Sequence, residues 1–435
     1  MVPARVRIRM VLAGVAFLAA LCLLPLRGKQ GETGKPVAER EDPSSLNRRL
    51  TNAASEIAEL EPMDRKIRQF MQQWSLQGVS LCVMRHDSLL YAKGYGWADK
   101  EMGIPMEPAT LLRVASVSKL VTAAGIMVLR DRGLLRLDSP VFGPDGILCD
   151  SAYTARIKDP NYFKITVGQL LRHQGGFTLR AGDPMFSTRT VMQQYRLKTP
   201  PDARALLRCL LGRRLSYAPG TSHAYSNLGY LILSLVIEQV SGEPYEQFMR
   251  REVLKKAGCF EFYLAGNYYK DRRPRESRYY MHADPNGAEV EDFHGNGVMV
   301  ERCYGGNDIH ALLGAGAWIC SVPELARFTA SIDGQPGVPD IISPGAVDLM
   351  TRTEGEGNYG LGWNECTPER GWSRSGTFSG TSALIRCFPD GECWILVTNS
   401  STWKGPRFQK WIAGLFNKLK ESWSDRLPRR DLFSD

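Results

Sequence analysis

The stretch that constrains this chain most runs from Ser116 to Leu129, where Lys119 is the single charged residue in an otherwise apolar run. Val117, Leu120, Val121, Ala123, Ala124, Ile126, Met127, Val128 and Leu129 leave no polar face wide enough for a surface helix. A helix apolar nearly all round is a buried one. Burying a lysine ammonium costs several kcal/mol without a partner and drives its pKa down. Residues i and i+3 share a helix face, so Lys119 lies one turn from Ser116. A serine hydroxyl at a helix start, beside an amine able to lose its proton, is an activated nucleophile. The N-terminus of that helix offers N–H groups and a positive dipole end where an oxyanion would form.

Spelling alone carries little, because Ser-x-x-Lys arises by chance about once or twice in a chain of this length. Ser401-Thr402-Trp403-Lys404 spells it again at the end of a predicted strand. The setting separates the two. Two further features bear on Ser116. Tyr225-Ser226-Asn227 follows Tyr217-Ala218-Pro219-Gly220 and precedes an apolar helix, where the plain reading is a capping turn with a half-buried tyrosine. Arg374-Ser375-Gly376-Thr377 falls on a predicted strand, where the plain reading is an edge-strand arginine followed by a glycine bulge.

The chain has 435 residues, enough for one large or two interleaved domains, and its 43% hydrophobic content is that of a globular protein. The net charge of +9 is spread along the sequence, and Arg272, Arg273, Arg275 and Arg278, the densest basic group, sit in a polar loop without a nucleic-acid motif. Nucleic acid is not an expected partner. Residues 1–30 read as a signal or membrane anchor: Arg5, Arg7 and Arg9 precede an uncharged apolar stretch, Met10–Leu26. No small-x-small cleavage site follows Leu26, and Leu21 before Cys22 makes a poor lipoprotein site, so an uncleaved anchor is favoured. The expected location is therefore the cell envelope, with the body on the periplasmic or extracellular side. Ten cysteines contain no Cys-x-x-Cys, and six histidines show no metal-ligand spacing, so no metal or organic cofactor is expected. Cys387 and Cys393 flank the turn Pro389-Asp390-Gly391, which faces them across a hairpin as a disulfide or as two small buried hydrophobes.

Along the chain, a helical lead-in covers Ser55–Trp74, and Gly78–Arg85 with Leu89–Ala98 reads as a strand pair. Thr166…Gln169 and Ser321…Glu324 spell capping boxes. Asn227–Val240 and Tyr245–Lys256 read as helices, Gly266–Gly306 as an irregular loop over a site. Trp372–Ser375, Thr381–Phe388 and Glu392–Asn399 read as successive antiparallel strands, and Phe408, Trp411, Ile412, Leu415, Phe416 and Leu419 form one helical stripe. Strands at both ends with helices between predict an α/β (α+β) fold. Its parts are an anchor (1–30), a linker (31–54), a discontinuous α/β domain (55–133 and 314–422), an inserted mainly helical domain (134–313) and a tail (423–435).

The ordered set Ser116-x-x-Lys119, Tyr225-x-Asn227 and basic-x-Gly at Arg374-Ser375-Gly376 resembles the serine β-lactamase and penicillin-binding-protein superfamily. More narrowly it is similar to the class C β-lactamase, D-alanyl-D-alanine carboxypeptidase and esterase branch. Ile165–His173 with Gly175-Gly176, Gly314-Ala315-Gly316 and Tyr359–Trp363 agree, and the likeness spans roughly Val79 to Ser400. The resemblance implies an antiparallel sheet flanked by helices and an acyl-enzyme mechanism. Ser116 would attack an amide, ester or β-lactam carbonyl, with Lys119 and Tyr225 sharing the general-base work. Asn227 would orient Lys119 and bind the substrate amide, and the N–H groups of Ser116 and Thr377 would form the oxyanion hole. Arg374, Ser375, Gly376 and Thr377 would line the substrate side. The third motif usually carries lysine or, in esterase-like members, histidine. Arg374 keeps the charge but cannot lose a proton, and a bidentate fork suits a peptide C-terminal carboxylate. The expected substrates are small molecules or peptides, peptidoglycan stem peptides among them. A carboxylesterase of the same fold, or an envelope binding protein that keeps the pocket without turnover, are the alternatives. No Gly-x-Ser-x-Gly elbow is present.

Overall fold

The computed structural model describes residues 44–180, 182–282, 289–353 and 357–434. The expected anchor and residues 31–43 of the expected linker lie outside them. Among the described residues no helix is long and apolar enough to cross a membrane.

A seven-stranded antiparallel sheet is built from both ends of the chain. Its strands are β1 (Gly78–Arg85), β2 (Ser88–Asp99), β3 (Ile104–Pro105), β4 (Glu365–Thr367), β5 (Gly371–Phe378), β6 (Thr381–Cys387) and β7 (Glu392–Thr398). Their spatial order is β3-β2-β1-β7-β6-β5-β4, so the N- and C-terminal strands meet in the middle, Val79 opposite Thr398 and Arg85 opposite Glu392. Alternation along β1 explains how the sheet acquires two covered faces. Val79, Leu81 and Val83 join a cluster with Met63, Ile67 and Phe70 of α1 (Glu61–Trp74) and with Ile412 and Phe416 of a C-terminal helix. Cys82 and Met84 face the larger core on the other side.

That larger core holds α2 (Ser118–Asp131), in which every residue from Ser118 to Leu129 is buried. The helix α3 (Val167–Leu171) starts in a true capping box: Gln169 N donates to Thr166 Oγ1 at 3.3 Å, and Thr166 N to Gln169 Oε1 at 3.0 Å. The helix α4 (Asn227–Ser241) packs on α2, is capped by Ser226, and ends at Gly242 with φ 75°. Two more complete the frame, α5 (Val322–Ala330) against the inner sheet face and α6 (Gln409–Trp423) on the outer one.

Several expectations need correction. The lead-in does not run as one helix from Ser55: short 3-10 turns at Asn52–Ser55 and Ala58–Leu60 precede α1, which Pro62 starts from its first turn. Residues 44–54 are not linker. Leu46 and Leu50 are buried in the core, and Ser45 Oγ donates to Glu261 and Glu324. Residues 423–434 are not a loose tail either, since Leu427, Leu432 and Phe433 are buried and Leu432 N donates to Leu89 O at 2.8 Å. The described residues of 134–313 share one hydrophobic core with the sheet domain. Ser321 caps α5, but Glu324 does not close the box. Its carboxylate instead accepts from the N–H groups of Phe260 and Glu261, at 3.0 and 2.8 Å. The helix at Tyr245 stops at Met249 and continues as a π turn, Arg250–Leu254. The Gly266–Gly306 stretch contains a small hairpin, Glu289–Glu291 with Met299–Glu301. Cys387 and Cys393 do face each other across the β6–β7 hairpin, as buried free thiols with their sulfurs 2.8 Å apart.

Candidate active site

The turn that carries Ser116 comes first. Val114 N donates to Trp318 O, tying the chain to a short strand, Trp318–Cys320, before it bends. Ala115 then takes φ 48°, a left-handed conformation that non-glycine residues adopt at a cost. Ser116 follows in a 3-10 turn, Ala115–Val117, and α2 begins at Ser118. Ser116 is thus half-buried one residue pair ahead of the helix rather than within it. Lys119 Nζ reaches back to Ser116 Oγ at 3.2 Å.

Lys119 is fully buried and makes two more bonds, to Asn227 Oδ1 at 2.7 Å and to Ala315 O. The Gly314-Ala315-Gly316 signature is explained by the second of these. Gly314 lies where three side chains converge: a methyl there would come within 2.2 Å of Thr122 Oγ1, 2.6 Å of Ser234 Oγ and 2.7 Å of Tyr245 OH. Thr122 Oγ1 donates to Gly314 O at 2.9 Å, and Gly314 N donates to Ser234 Oγ at 3.0 Å. Leu313 just before it takes φ 42°. This pinned, strained loop aims the Ala315 carbonyl at the ammonium.

Tyr225 arrives from the loop before α4, and its OH lies 2.7 Å from Ser116 Oγ. His173, at the end of α3 with φ 56°, supports that loop: its Nδ1 accepts from Ser226 N at 3.2 Å, and its ring packs 4.6 Å from the Tyr225 ring. Asn227 is held from two sides, its Oδ1 by Lys119 and its Nδ2 by Asp183 Oδ2. Asp183 escaped the sequence reading. Asp183-Pro184 is a helix-start signal and does cap a 3-10 turn, Pro184–Phe186, through Met185 N at 3.0 Å. Only the fold brings it to the motif residue.

Arg374 departs from expectation. Its side chain is aimed at the backbone of Ser116, with Nε and Nη2 donating to Ser116 O at 2.8 and 2.6 Å. The residue is 1% exposed. The fork formed by Nε and Nη2 is spent on Ser116 O. Gly376 has to be glycine: a Cβ would lie 2.4 Å from Val114 O and 2.8 Å from Ser116 N. Ser375 N donates to Asn364 Oδ1 at 2.8 Å, off the edge of β5 that β4 leaves uncovered beyond Ser373. Strand alternation places the Thr377 N–H on that same edge. Gln409 Nε2 fixes Thr377 by bonds to Gly376 O and Thr377 Oγ1, at 2.8 and 2.9 Å.

Electrostatics follow from this packing. Burial pushes Lys119 down to about 8, Arg374 adding to that and Tyr225 opposing it. Burial alone would raise the Tyr225 phenol, but Lys119 and Arg374 outweigh it and its pKa ends below the ordinary value. The two groups are thus both lowered from their ordinary values. His173 is driven well below its usual range by burial, then by Arg374 and Lys119, and stays neutral. The pair can take a proton from Ser116 and return it to a leaving group, which is what acyl transfer to serine requires. The duplicate Ser401…Lys404 has no such setting: Ser401 Oγ accepts from Gly380 N at 2.7 Å in a turn, and Lys404 lies over the Trp403 and Trp411 rings. Among the described residues no group of three or more His, Cys, Asp or Glu could hold a metal ion.

The β-lactamase family's sequence description matches residues 63–420. The chain belongs to the β-lactamase family. Among curated relatives, esterase EstB of Burkholderia gladioli is 32% identical over 208 residues, which is 47% of this chain and 49% of EstB. The matched region thus spans about half of that relative. Two solved structures share the fold over most of both chains. A penicillin-binding protein from Bacillus halodurans aligns with TM-score 0.61 and 18% identity over 80% of this chain and 100% of its own. The D-amino acid amidase of Ochrobactrum anthropi SV3 aligns with TM-score 0.62 and 20% identity, over 83% and 96%. The β-lactamase-family fold thus carries Ser116, Lys119, Tyr225, Asn227 and Arg374 into one cluster.

Proposed function

We propose that this β-lactamase-family protein is an exported, membrane-tethered serine hydrolase that forms an acyl-enzyme on small esters and amides lacking a recognised carboxylate. The observation that carries the reading is the convergence of Lys119 Nζ and Tyr225 OH on Ser116 Oγ, at 3.2 and 2.7 Å. Ser116 Oγ gives its proton to the Lys119–Tyr225 pair as it bonds to the carbonyl carbon. The resulting oxyanion is taken by the N–H groups of Ser116 and Thr377. Tyr225 then protonates the departing alkoxide or amine as the bond to it breaks. Water repeats the sequence, giving its proton to the pair, attacking the acyl carbon and releasing Ser116.

Burial of Arg374 favours neutral esters and amides over peptides read by their C-terminal carboxylate, the D-Ala-D-Ala class included. EstB is named an esterase and one structural neighbour an amidase, which agrees with that preference. Export and tethering rest on the basic Arg5–Arg9 segment and the apolar Met10–Leu26 stretch. The test is a panel pairing each substrate with a carboxylate-bearing counterpart: p-nitrophenyl esters, D-amino acid amides, and D-alanyl-D-alanine peptides free or C-terminally amidated. Faster hydrolysis of the uncharged members is expected. Selective hydrolysis of free-carboxylate peptides would overturn the substrate assignment, and no hydrolysis of any member by folded protein would favour a binding protein.

A further inference from the structure

Asn227 has one amide to place, and two neighbours decide how. Lys119 is a donor and needs the oxygen; Asp183 is an acceptor and needs the nitrogen. With both partners present only one amide orientation satisfies the site. The same arrangement puts a carboxylate one side chain away from the Lys119–Tyr225 pair, on the lysine side. Resting on the acyl-enzyme reading above, we infer that Asp183 is a positioning residue: through Asn227 it holds the shared proton on Lys119 and leaves Tyr225 as the group that takes the Ser116 proton.

Tyr225, the other member of the pair, also favours the ammonium; the remaining elements around Lys119 act differently. Arg374 from β5 repels its charge, and neutral His173 from α3 offers none. Tyr225 and Tyr230, on the loop before α4 and on α4, present ring faces to Nζ at 5.0 and 5.6 Å. The Ala315 carbonyl accepts a bond but carries no net charge. Asp183 is the carboxylate whose field favours the ammonium form of Lys119. Its own surroundings include Arg213 and Arg214, which line the same cavity beside Ser226. With the proton kept on Lys119, all three of its N–H groups have acceptors in Ser116 Oγ, Asn227 Oδ1 and Ala315 O. A fully donating ammonium has no lone pair for the serine proton. The phenolate does, and it lies closer to Ser116 Oγ.

The experiment uses the folded chain, its Asp183→Asn, Asp183→Ser and Asp183→Glu variants, and a fluorophosphonate probe followed by intact mass against pH. Asn keeps the shape and removes the charge; Ser keeps a cap for the Pro184 turn; Glu keeps the charge. Removing the carboxylate lets the Lys119–Tyr225 pair lose its proton more easily. The acid limb of labelling is therefore expected to move to lower pH in Asp183→Asn and Asp183→Ser, while the plateau rate falls about tenfold as the phenolate gives way to a neutral lysine. Tyrosinate difference absorbance, measured against Tyr225→Phe, is expected to fall in both, and Asp183→Glu to recover part of each effect. An unmoved limb and an unchanged tyrosinate signal in either charge-removing variant, with wild-type melting, would overturn the inference and leave the hydrolase reading standing. A wild type that never labels would overturn the hydrolase reading, and the tyrosinate comparison alone would then decide the role of Asp183.

Discussion

At the scale of single residues, Arg374 shows how a motif position can keep its charge and change its task. Its two donors grip Ser116 O, so it fixes the nucleophile's backbone and lowers both proton-carrying groups. Lysine at this position can offer one directed bond where arginine offers a fork. Arg374→Lys is expected to lower kcat about tenfold while KM changes less than about twofold, because its bonds go to Ser116 O. Steady-state kinetics on an ester substrate checks this; a rise confined to KM would show direct substrate contact. The pH dependence has a definite sign. The Lys119–Tyr225 pair must lose a proton before it can accept one, and both groups are lowered from their ordinary values, so kcat/KM is expected to rise with pH through an acid limb that belongs to the pair. Arg374→Met removes a cation that lowers both groups, and its acid limb is expected to move to higher pH.

At the scale of elements, the helices and loops that place the site were legible in the sequence wherever local rules govern. The apolar run after Ser116 had to be a buried helix, and the Thr166 box and the Ser226 cap follow from side-chain chemistry alone. Tertiary competition decided the rest. Glu324 had the right spacing for a capping box, yet the unpaired N–H groups of Phe260 and Glu261 claimed its carboxylate. Asp183 went unread because nothing local announces that its turn abuts Asn227. Gly314 is readable as a motif, but its reason lies in Thr122, Ser234 and Tyr245 from three separate helices. Gly314→Ala forces that loop away from all three and takes the Ala315 carbonyl off Lys119. A loss of about 1–3 kcal/mol in stability is expected, with a larger proportional loss of kcat. Chemical denaturation and kinetics on the same preparation check both; a fully active, fully stable variant would contradict the pinning of this loop.

At the scale of the molecule, the sheet closes by pairing β1 with β7, and both termini of the described chain then pack back onto it. Leu46 and Leu50 enter the core from one end, Leu432 and Phe433 from the other, and Arg49 Nη2 donates to Phe433 O at 2.6 Å. Polar composition made 31–54 read as linker and 423–435 as tail, because a few buried leucines in a charged stretch give no periodic signal. Leu46→Ala and Leu432→Ala are each expected to cost about 2–5 kcal/mol, as buried leucines do, with the catalytic residues untouched. Denaturant titration measures this, and a change below about 0.5 kcal/mol in both, the range of ordinary surface substitutions, would mean that these segments do not share the core.

Ser116 is proposed as a nucleophile worked by Lys119 and Tyr225. Intact-mass analysis after incubation with a fluorophosphonate and, separately, a fluorescent penicillin tests it most directly, with Ser116→Ala alongside. A single adduct with the fluorophosphonate is expected in the wild type, absent in Ser116→Ala and strongly slowed in Tyr225→Phe. An adduct that persists in Ser116→Ala, or folded wild-type protein that takes up neither probe, would contradict it.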